Sequence, residues 1–306
     1  MGCVILDSIR HASNQSQSNP IQVKDPTMSP LRSILVHLDP SLCSRTRLLL
    51  ARDLAEKHGA HLNALYGCTP SIMDMPYSLN EGAAAAIPIL QKLDTERRDD
   101  ARALFDSVSS IGPWPLHWNE LRGEHVVTGM ARHALCSDLM VLGQHDPNDS
   151  AALAIPSDFA ASVMIASGKP ALIIPYANAC KTLGQDVLIA WAPTREAARA
   201  LTAAVPFLQQ ARHIHLVVQA DSNQEGSGAS AVEAYLKLHS VNAPVKRHMS
   251  VPDTSVGEAL LSLAADVSAD LLVMGCYSHS RARELVFGGA SRTLLKSMTL
   301  PVLMAH

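Results

Sequence analysis

Short apolar runs recur along the chain, and each is followed by a stretch in which apolar residues return every three or four positions. Ser33–Asp39 reads as a buried strand that ends in an acid. Arg45–Lys57 follows as a helix, with Leu48, Leu49, Ala51, Leu54 and Ala55 at helical spacing and Gly59 placed to close it. His61–Tyr66 predicts a second strand. Residues from Cys68 to about Ala86, with Pro70, Pro76, Gly82 and an alanine run, predict a long loop, and Ile89–Val108 a helix. Leu116–Leu121 and Asp138–Leu142 are the next strands, with a helix over Glu124–Leu135 between them. A helix near Ser157–Ala166 and a strand at Ala171–Pro175 complete the run.

The pattern then restarts. Asp186–Trp191 is a strand, and Thr194 caps a helix containing Glu196, Ala197, Ala198 and Ala200, since its hydroxyl can accept from a free N–H of the first turn. His213–Val218 is a strand; a Gly226–Gly228 turn leads into a helix to about His239. Val245–Met249 is a strand and Ser255–Val267 a helix. Leu271–Met274 and Val302–Met304 are the last strands, with a helix over Arg283–Ser297 between them. Alternating strands and helices imply parallel sheets covered on both faces. The reading is therefore α/β with two repeats, residues 31–178 and 184–306, after a disordered polar tail over residues 1–30 rich in Ser, Asn, Gln and Pro.

Composition changes this picture little. Hydrophobic residues make up 47% of the 306 but aromatics only 4%, so the core is built from Ala, Leu, Val and Ile. A formal net charge of -3 gives no reason to expect a nucleic-acid partner. The six cysteines form no C-x-x-C pair, which predicts reduced thiols and a cytoplasmic setting. The start, Met1-Gly2-Cys3-Val4-Ile5-Leu6, lacks the basic opening and long apolar run of a signal peptide, and Leu6 stands where myristoylation needs Ser or Thr. No apolar run is expected to approach the roughly 18 residues of a membrane span.

The chemistry concentrates in the last third. An apolar run ends at Gly275, a polar loop follows, and Gly288-Gly289-Ala290-Ser291 stands at the mouth of a helix. Glycine lets backbone approach an anion, and free N–H groups at a helix start can bind it. Arg281, Arg283 and Arg292 add positive charge. The same glycines would equally serve to pack a helix on a sheet. Asp39 can bond a ribose hydroxyl or cap the turn before its helix. Cys276, beside arginines, is a candidate low-pKa thiol or a small core residue. His213 and His215 alternate on one strand face but have no third ligand nearby in sequence, so no metal site is assigned. No Walker Gly-Lys-Ser/Thr, G-x-S-x-G or H-E-x-x-H is present, and no catalytic residue is assigned.

The pattern resembles the tandem universal stress proteins of bacteria over about residues 33–306. The family's motif is Gly, two residues, Gly, nine residues, Gly, then Ser or Thr. Gly275 and Gly288 match; Ser278 stands where the second Gly is usual, Gly289 where the hydroxyl is usual, and Ser291 supplies a hydroxyl two places later. The run His279-Ser280-Arg281, Arg283-Glu284, Gly288-Gly289 is similar to bacterial tandem members.

The resemblance implies two doubly wound, parallel-sheet domains of the adenine nucleotide alpha hydrolase-like type, packed as an internal pseudo-dimer. The last strands, Ala171–Pro175 and Pro301–Met304, would then lie together, with Pro175 and Pro301 limiting how far they pair. It further implies ATP, with Mg²⁺, cradled by Gly275, Ser278, Gly288, Gly289, Ala290 and Ser291 and, more weakly, Asp39 and Arg281. The first repeat has Gly143-Gln144-His145-Asp146 and no later glycine pair; the second has Ala192-Pro193 where Asp-Gly is usual. The implied function is a stress-response switch that binds an adenine nucleotide at the C-terminal repeat, with at most slow ATP hydrolysis. Protein partners are unknown, a homodimer is possible, and neither nucleic acid nor membrane is expected. The alternative is a nucleotide-free protein-interaction module of the same fold.

Overall fold

The computed structural model describes residues 31–74, 81–177, 182–218, 228–248, 256–276 and 289–306. The chain runs β1 (Ser33–Leu38), α1 (Ser44–His58), β2 (His61–Tyr66), α2 (Glu81–Ser109), β3 (Leu116–Glu120), α3 (Val126–Ala134), β4 (Leu139–Gly143), α4 (Phe159–Ser167) and β5 (Ala171–Ile174). It continues β6 (Asp186–Trp191), α5 (Arg195–Leu208), β7 (His213–Val218), α6 (Ala229–Leu238), β8 (Val245–His248), α7 (Val256–Asp266), β9 (Leu271–Gly275), α8 (Gly289–Ser297) and β10 (Val302–Ala305). Local signals act as the sequence predicts at two ends. Gly59 closes α1 at φ 64°, where a side chain would be strained, and its N–H bonds back to the Glu56 carbonyl. Thr194 Oγ1 accepts from Ala197 N at 3.2 Å and caps α5. One boundary departs from expectation: α2 begins at Glu81, so the alanine run lies inside a 29-residue helix that tolerates Pro88. Pro88 stands two turns into the helix, where it removes one i→i−4 hydrogen bond while about six turns continue after it.

The ten strands form one sheet, in the order β3-β2-β1-β4-β5-β10-β9-β6-β7-β8. Each half repeats the same order, and every pairing is parallel except the central one. There β5 and β10 pair antiparallel, Val302 against Ile173, Leu303 against Leu172 and Met304 against Ala171. The implied meeting of the last strands is thus observed, and it ends just short of Pro175 and Pro301. The parallel sheets expected of the two repeats are joined by this antiparallel pairing into a single mixed sheet. The reason is that β5 and β10 are apolar and buried along their whole length, and such strands leave unpaired backbone if they stand as edges.

Both faces are covered. Ile34, Val36 and Leu38 point into one layer with Leu48 of α1, Phe105 of α2, Leu201 of α5 and Leu236 of α6. Leu35 and Met140 point into the other, with Met130 of α3, Val163 of α4, Leu260 of α7 and Leu294 of α8. Each layer runs across the β5–β10 join. One 18-residue stretch, Ser150–Ser167, has the length and apolar composition of a membrane span, contrary to expectation. It is not one helix: a short 3-10 helix at Ser150–Ala154 and α4 are separated around Pro156, and α4 buries Phe159, Ala161, Val163 and Met164 in the core.

Candidate functional site

Parallel strands leave their carboxyl ends at the sheet rim, and the loops there form clefts. In the first half the cleft floor is the end of β1. His37 is fully buried and Asp39 is 7% exposed. Asp39 Oδ1 accepts from Ser41 N at 3.0 Å, from the Ser41 hydroxyl, from Ser44 Oγ at 2.7 Å, and from Arg47 Nη2 at 2.9 Å. Arg47, only 2% exposed, also donates to Ser44 Oγ at 2.7 Å. Burial pushes the Asp39 carboxyl up, but Arg47, His37 and the serine hydroxyls outweigh it and hold it well below the usual carboxylate range. Asp39 is therefore an anion already matched inside the protein.

His37 completes the floor. Its Nε2 donates to the Gly67 carbonyl at 2.8 Å, which leaves Nδ1 as an acceptor. Burial holds the imidazole down at about 4, against the pull of Asp39, so the ring is neutral at physiological pH. Among the described residues Nδ1 has no hydrogen-bond partner, and it stands 3.6 Å from Asp39 Oδ2, acceptor facing acceptor. The ring is braced by Phe159, with centroids 4.4 Å apart.

Above this floor lies a cavity of about 1140 Å³. Its walls come from both halves. The loop after β4 and the start of α4 contribute Gln144, Asp146, Asp158 and Phe159; α8 contributes Gly289, Arg292 and Lys296. Gln144 ties them together. Its side chain donates to the Leu295 carbonyl of α8 at 3.1 Å and accepts from Tyr176 N at 3.1 Å. Asp149 is an anchor: it accepts from Leu42 N and Ala151 N, both at 2.9 Å.

The residues predicted to cradle a phosphate divide. Ser278, Arg281 and Gly288 lie outside the described residues. Gly275 ends β9 as a packing glycine: a Cβ there would lie 2.7 Å from the Glu196 carbonyl carbon and collide with the backbone of Ala197 at the start of α5. Gly289 and Ala290 open α8, and a Cβ on Gly289 would meet nothing among the described residues. Ser291 is buried on the inner face of the same turn. Cys276 is a core residue: it is buried, its thiol bonds the Ala305 carbonyl at 3.3 Å, and burial followed by Glu196 pushes it up to about 12. The low-pKa thiol is thereby corrected. His213 Nδ1 bonds Asp186 at 2.7 Å and His215 Nδ1 bonds His248 Nε2 at 2.9 Å, so the two expected strand neighbours have separate partners. No group of three metal-ligating side chains occurs among the described residues.

Sequence reasoning missed Arg47, His37 and Lys296 of α8, and it placed Arg292 beside the second half's loop rather than over the first half's cleft. Arg47 carried a signal. It lies on the face of α1 that buries Ser44, Leu48, Ala51 and Leu54, and a charge on a core-facing stripe needs a buried partner. The position of the α8 cations carried none, because nothing local places the second half's helix over the first half's cleft.

A Rossmann-like α/β sheet with ligand clefts at its carboxyl rim is the class this geometry defines. The universal stress protein family model matches residues 185–306, and through that stretch the chain belongs to the universal stress protein family. Solved structures agree in fold. A universal stress protein from Archaeoglobus fulgidus DSM 4304 is 14% identical with a TM-score of 0.62, the match covering 89% of this chain and 95% of that one. A putative universal stress protein from Pseudomonas aeruginosa UCBPP-PA14 is 16% identical with a TM-score of 0.52, covering 89% and 92%. A functionally unknown protein from Pseudomonas aeruginosa PAO1 is 17% identical with a TM-score of 0.52, with the same coverage. No curated protein matches the chain.

Proposed function

We propose that this universal stress protein is a cytoplasmic stress-response switch of two domains, residues 31–178 and 184–306, that binds an adenine nucleotide through its C-terminal repeat and has no dedicated catalysis. ATP with Mg²⁺ would place its phosphates against Gly289, Ala290 and Ser291, with Gly275, Ser278, Gly288 and Arg281 forming the rest of the loop. One observation carries the reading: α8 opens at Gly289, where no described residue would meet a Cβ, at the border of a 1140 Å³ cavity. Backbone N–H groups at such a start attract anions. Binding would raise the stability of the bound form and so bias partner choice.

The test uses Gly289→Asp. A side chain there meets no described residue, and an acid at a helix start is compatible with folding, so the variant is aimed at charge rather than structure. Calorimetric titration with ATP and Mg²⁺ should give micromolar binding in the parent and none in the variant. No heat at millimolar ATP in the parent would overturn the proposal in favour of a nucleotide-free interaction module. That second reading is favoured by one observation: Asp39 is already saturated by Arg47, Ser41 and Ser44, while Ala192 replaces the acid in the second half.

A further inference from the structure

The free edge of the second half is tied down by a side-chain bond on which pH can act. Strand β8 ends the ten-stranded sheet, is four residues long and has no fully buried residue. It pairs with β7 from Val245 against Ile214 to His248 against Val217. On one face Arg247 bonds Glu233 and Ser230 of α6 at the surface, where ion pairs contribute little. On the other face His248 Nε2 lies 2.9 Å from His215 Nδ1 and ties the edge strand to β7. His215 is only 7% exposed.

Two neutral imidazoles form this bond because one nitrogen donates and the other accepts. One added proton puts a charge in a buried place, and a second leaves N–H facing N–H. The surroundings do not compensate. Lys246 stands opposite His215 in the ladder, and His213 lies two residues back on the same face. From β6, Asp186 is already bonded to His213 at 2.7 Å. Helix α7 packs on this face at Val217 and turns Gly257, Leu260 and Ala264 inward, while its charged residues Glu258 and Asp266 are exposed. Burial, then His248 and Lys246, hold His215 below its ordinary 6.5 against the pull of Asp186.

We propose that the His215–His248 bond is an acid-released latch: it holds β8 on the sheet while both rings are neutral, and mild acid frees β8 and uncovers the backbone edge of β7. Detachment hydrates both rings. The detached strand takes the proton first, so the latch's contribution is full above 6.5 and is lost as pH falls below that value. The uncovered strand carries Ile214, Leu216 and Val217, all buried in the closed form, and so becomes an apolar edge open to pairing.

The first half supplies an internal control. Its edge strand β3 also meets β2 through two imidazoles, His61 and His117, stacked with centroids 4.2 Å apart. Both are exposed, so water hydrates a charge on either, and Trp118 pins β3 against Tyr66 and Phe105. Acid should leave β3 closed.

The experiment is hydrogen exchange of the full chain, resolved by strand and corrected for intrinsic rate, at a pH of about 7.5 and of about 5, either side of the ordinary imidazole value. The amides of β8, and those of β7 bonded to it, should lose about tenfold of their protection at the lower pH, and those of β3 about twofold or less. His215→Gln with His248→Gln leaves two amides that keep a hydrogen bond but take no proton. That variant should abolish the loss at β8 and leave untouched any loss at β1, where His37 titrates. Lys246→Glu, on an exposed side chain, puts an acid opposite His215 and should shrink the loss at β8, because the closed form then tolerates the proton better. No loss in the parent, an equal loss at β3 and β8, or a full loss in the double variant would overturn the proposal. If the double variant fails to fold, Lys246→Glu decides: an undiminished loss at β8 sinks the latch.

Discussion

The two halves solve one packing problem in opposite ways. In each, the fourth strand in chain order ends in a glycine over which another group passes so closely that a Cβ would collide. Over Gly143 it is the guanidinium of Arg47, drawn down by Asp39. Over Gly275 it is the backbone of Glu196 and Ala197, the first turn of α5. The first half thus fills the space with a buried ion pair and the second with main chain. A glycine that sequence assigns to ligand approach is in both halves also a packing glycine. A buried ion pair with hydrogen-bonded serines is sensitive to charge and pH, whereas packed backbone is sensitive only to volume.

Breaking the ion pair should have the largest effect. Asp39→Ala leaves Arg47 buried without its counter-charge, and the expected loss is about 3–5 kcal/mol in chemical denaturation. The double variant Asp39→Ala with Arg47→Met should recover most of that loss, because it removes both charges at similar volume. An Asp39→Ala loss no larger than that of an exposed pair, about 1 kcal/mol or less, would mean that Arg47 finds water or another acceptor. Ala192 sits at the corresponding strand end of the second half, and Ala192→Ser should do little there.

Acid should separate the halves next. The folded value for His37 lies below its ordinary 6.5, at about 4, so the unfolded chain binds the proton first as pH falls. His37 therefore contributes stability that is fully present above 6.5 and is lost progressively down to about 4. The size is on the order of 3 kcal/mol. Asp39, held below its ordinary 3.8, adds a further loss at still lower pH, where its protonation frees Arg47. Stability measured against pH in His37→Gln should be flatter between 6.5 and 4 than in the parent. An unchanged slope would show that the acid sensitivity resides elsewhere, for instance in the His215–His248 pair.

Much of this fold is legible in the sequence. The strands read correctly because a residue buried on both faces must be apolar at every position, as in Leu139–Leu142 and Leu271–Met274. Gly59 and Thr194 marked helix ends because one frees φ and the other satisfies a stranded N–H. The single sheet was less legible, since the β5–β10 pairing joins residues more than a hundred positions apart, and only the family resemblance pointed to it. The α2 start was misread because Pro and Gly near Ala83–Ala86 suggest a loop, while helix packing tolerates Pro88 near the helix start. The site was legible only in part. Gly275, Gly289 and Asp39 were found by type and spacing. Their roles depend on which atoms fall beside them: the core-facing stripe of α1 marks Arg47 as buried, but that it lies over Gly143 is a tertiary fact.

Alanine at the two glycines sharpens the comparison further. Both changes overpack and should cost about 1–3 kcal/mol. They should differ in character. Gly143→Ala displaces the Arg47 guanidinium from Asp39, so the pH dependence set by His37 should move upward as a repelling cation leaves. Gly275→Ala pushes on α5 backbone and should leave that pH dependence alone. Equal pH profiles for the two variants would show that Arg47 can swing aside without releasing Asp39.

The smallest effect should come from the way each half starts the helix that covers its glycine. Helix α5 begins with Thr194, whose hydroxyl accepts from Ala197 N. That bond also fixes the residue whose backbone lies on Gly275. Helix α1 has Cys43 at the same position, with no side-chain cap. Its first turn is held instead by Ser44, whose hydroxyl lies 2.7 Å from both the carbonyl and Oδ1 of Asp39, and by Arg47 below it. Thr194→Ala should therefore cost about 1 kcal/mol, the usual price of a lost cap, while Cys43→Ala should cost less. Introducing a cap in the first half, Cys43→Ser, should add little, because the N–H groups a cap would satisfy belong to a turn already anchored from inside. A gain there approaching the Thr194→Ala loss would mean that the ion pair does not hold the start of α1, and the contrast between a charge-held and a backbone-held rim would fail at its weakest point.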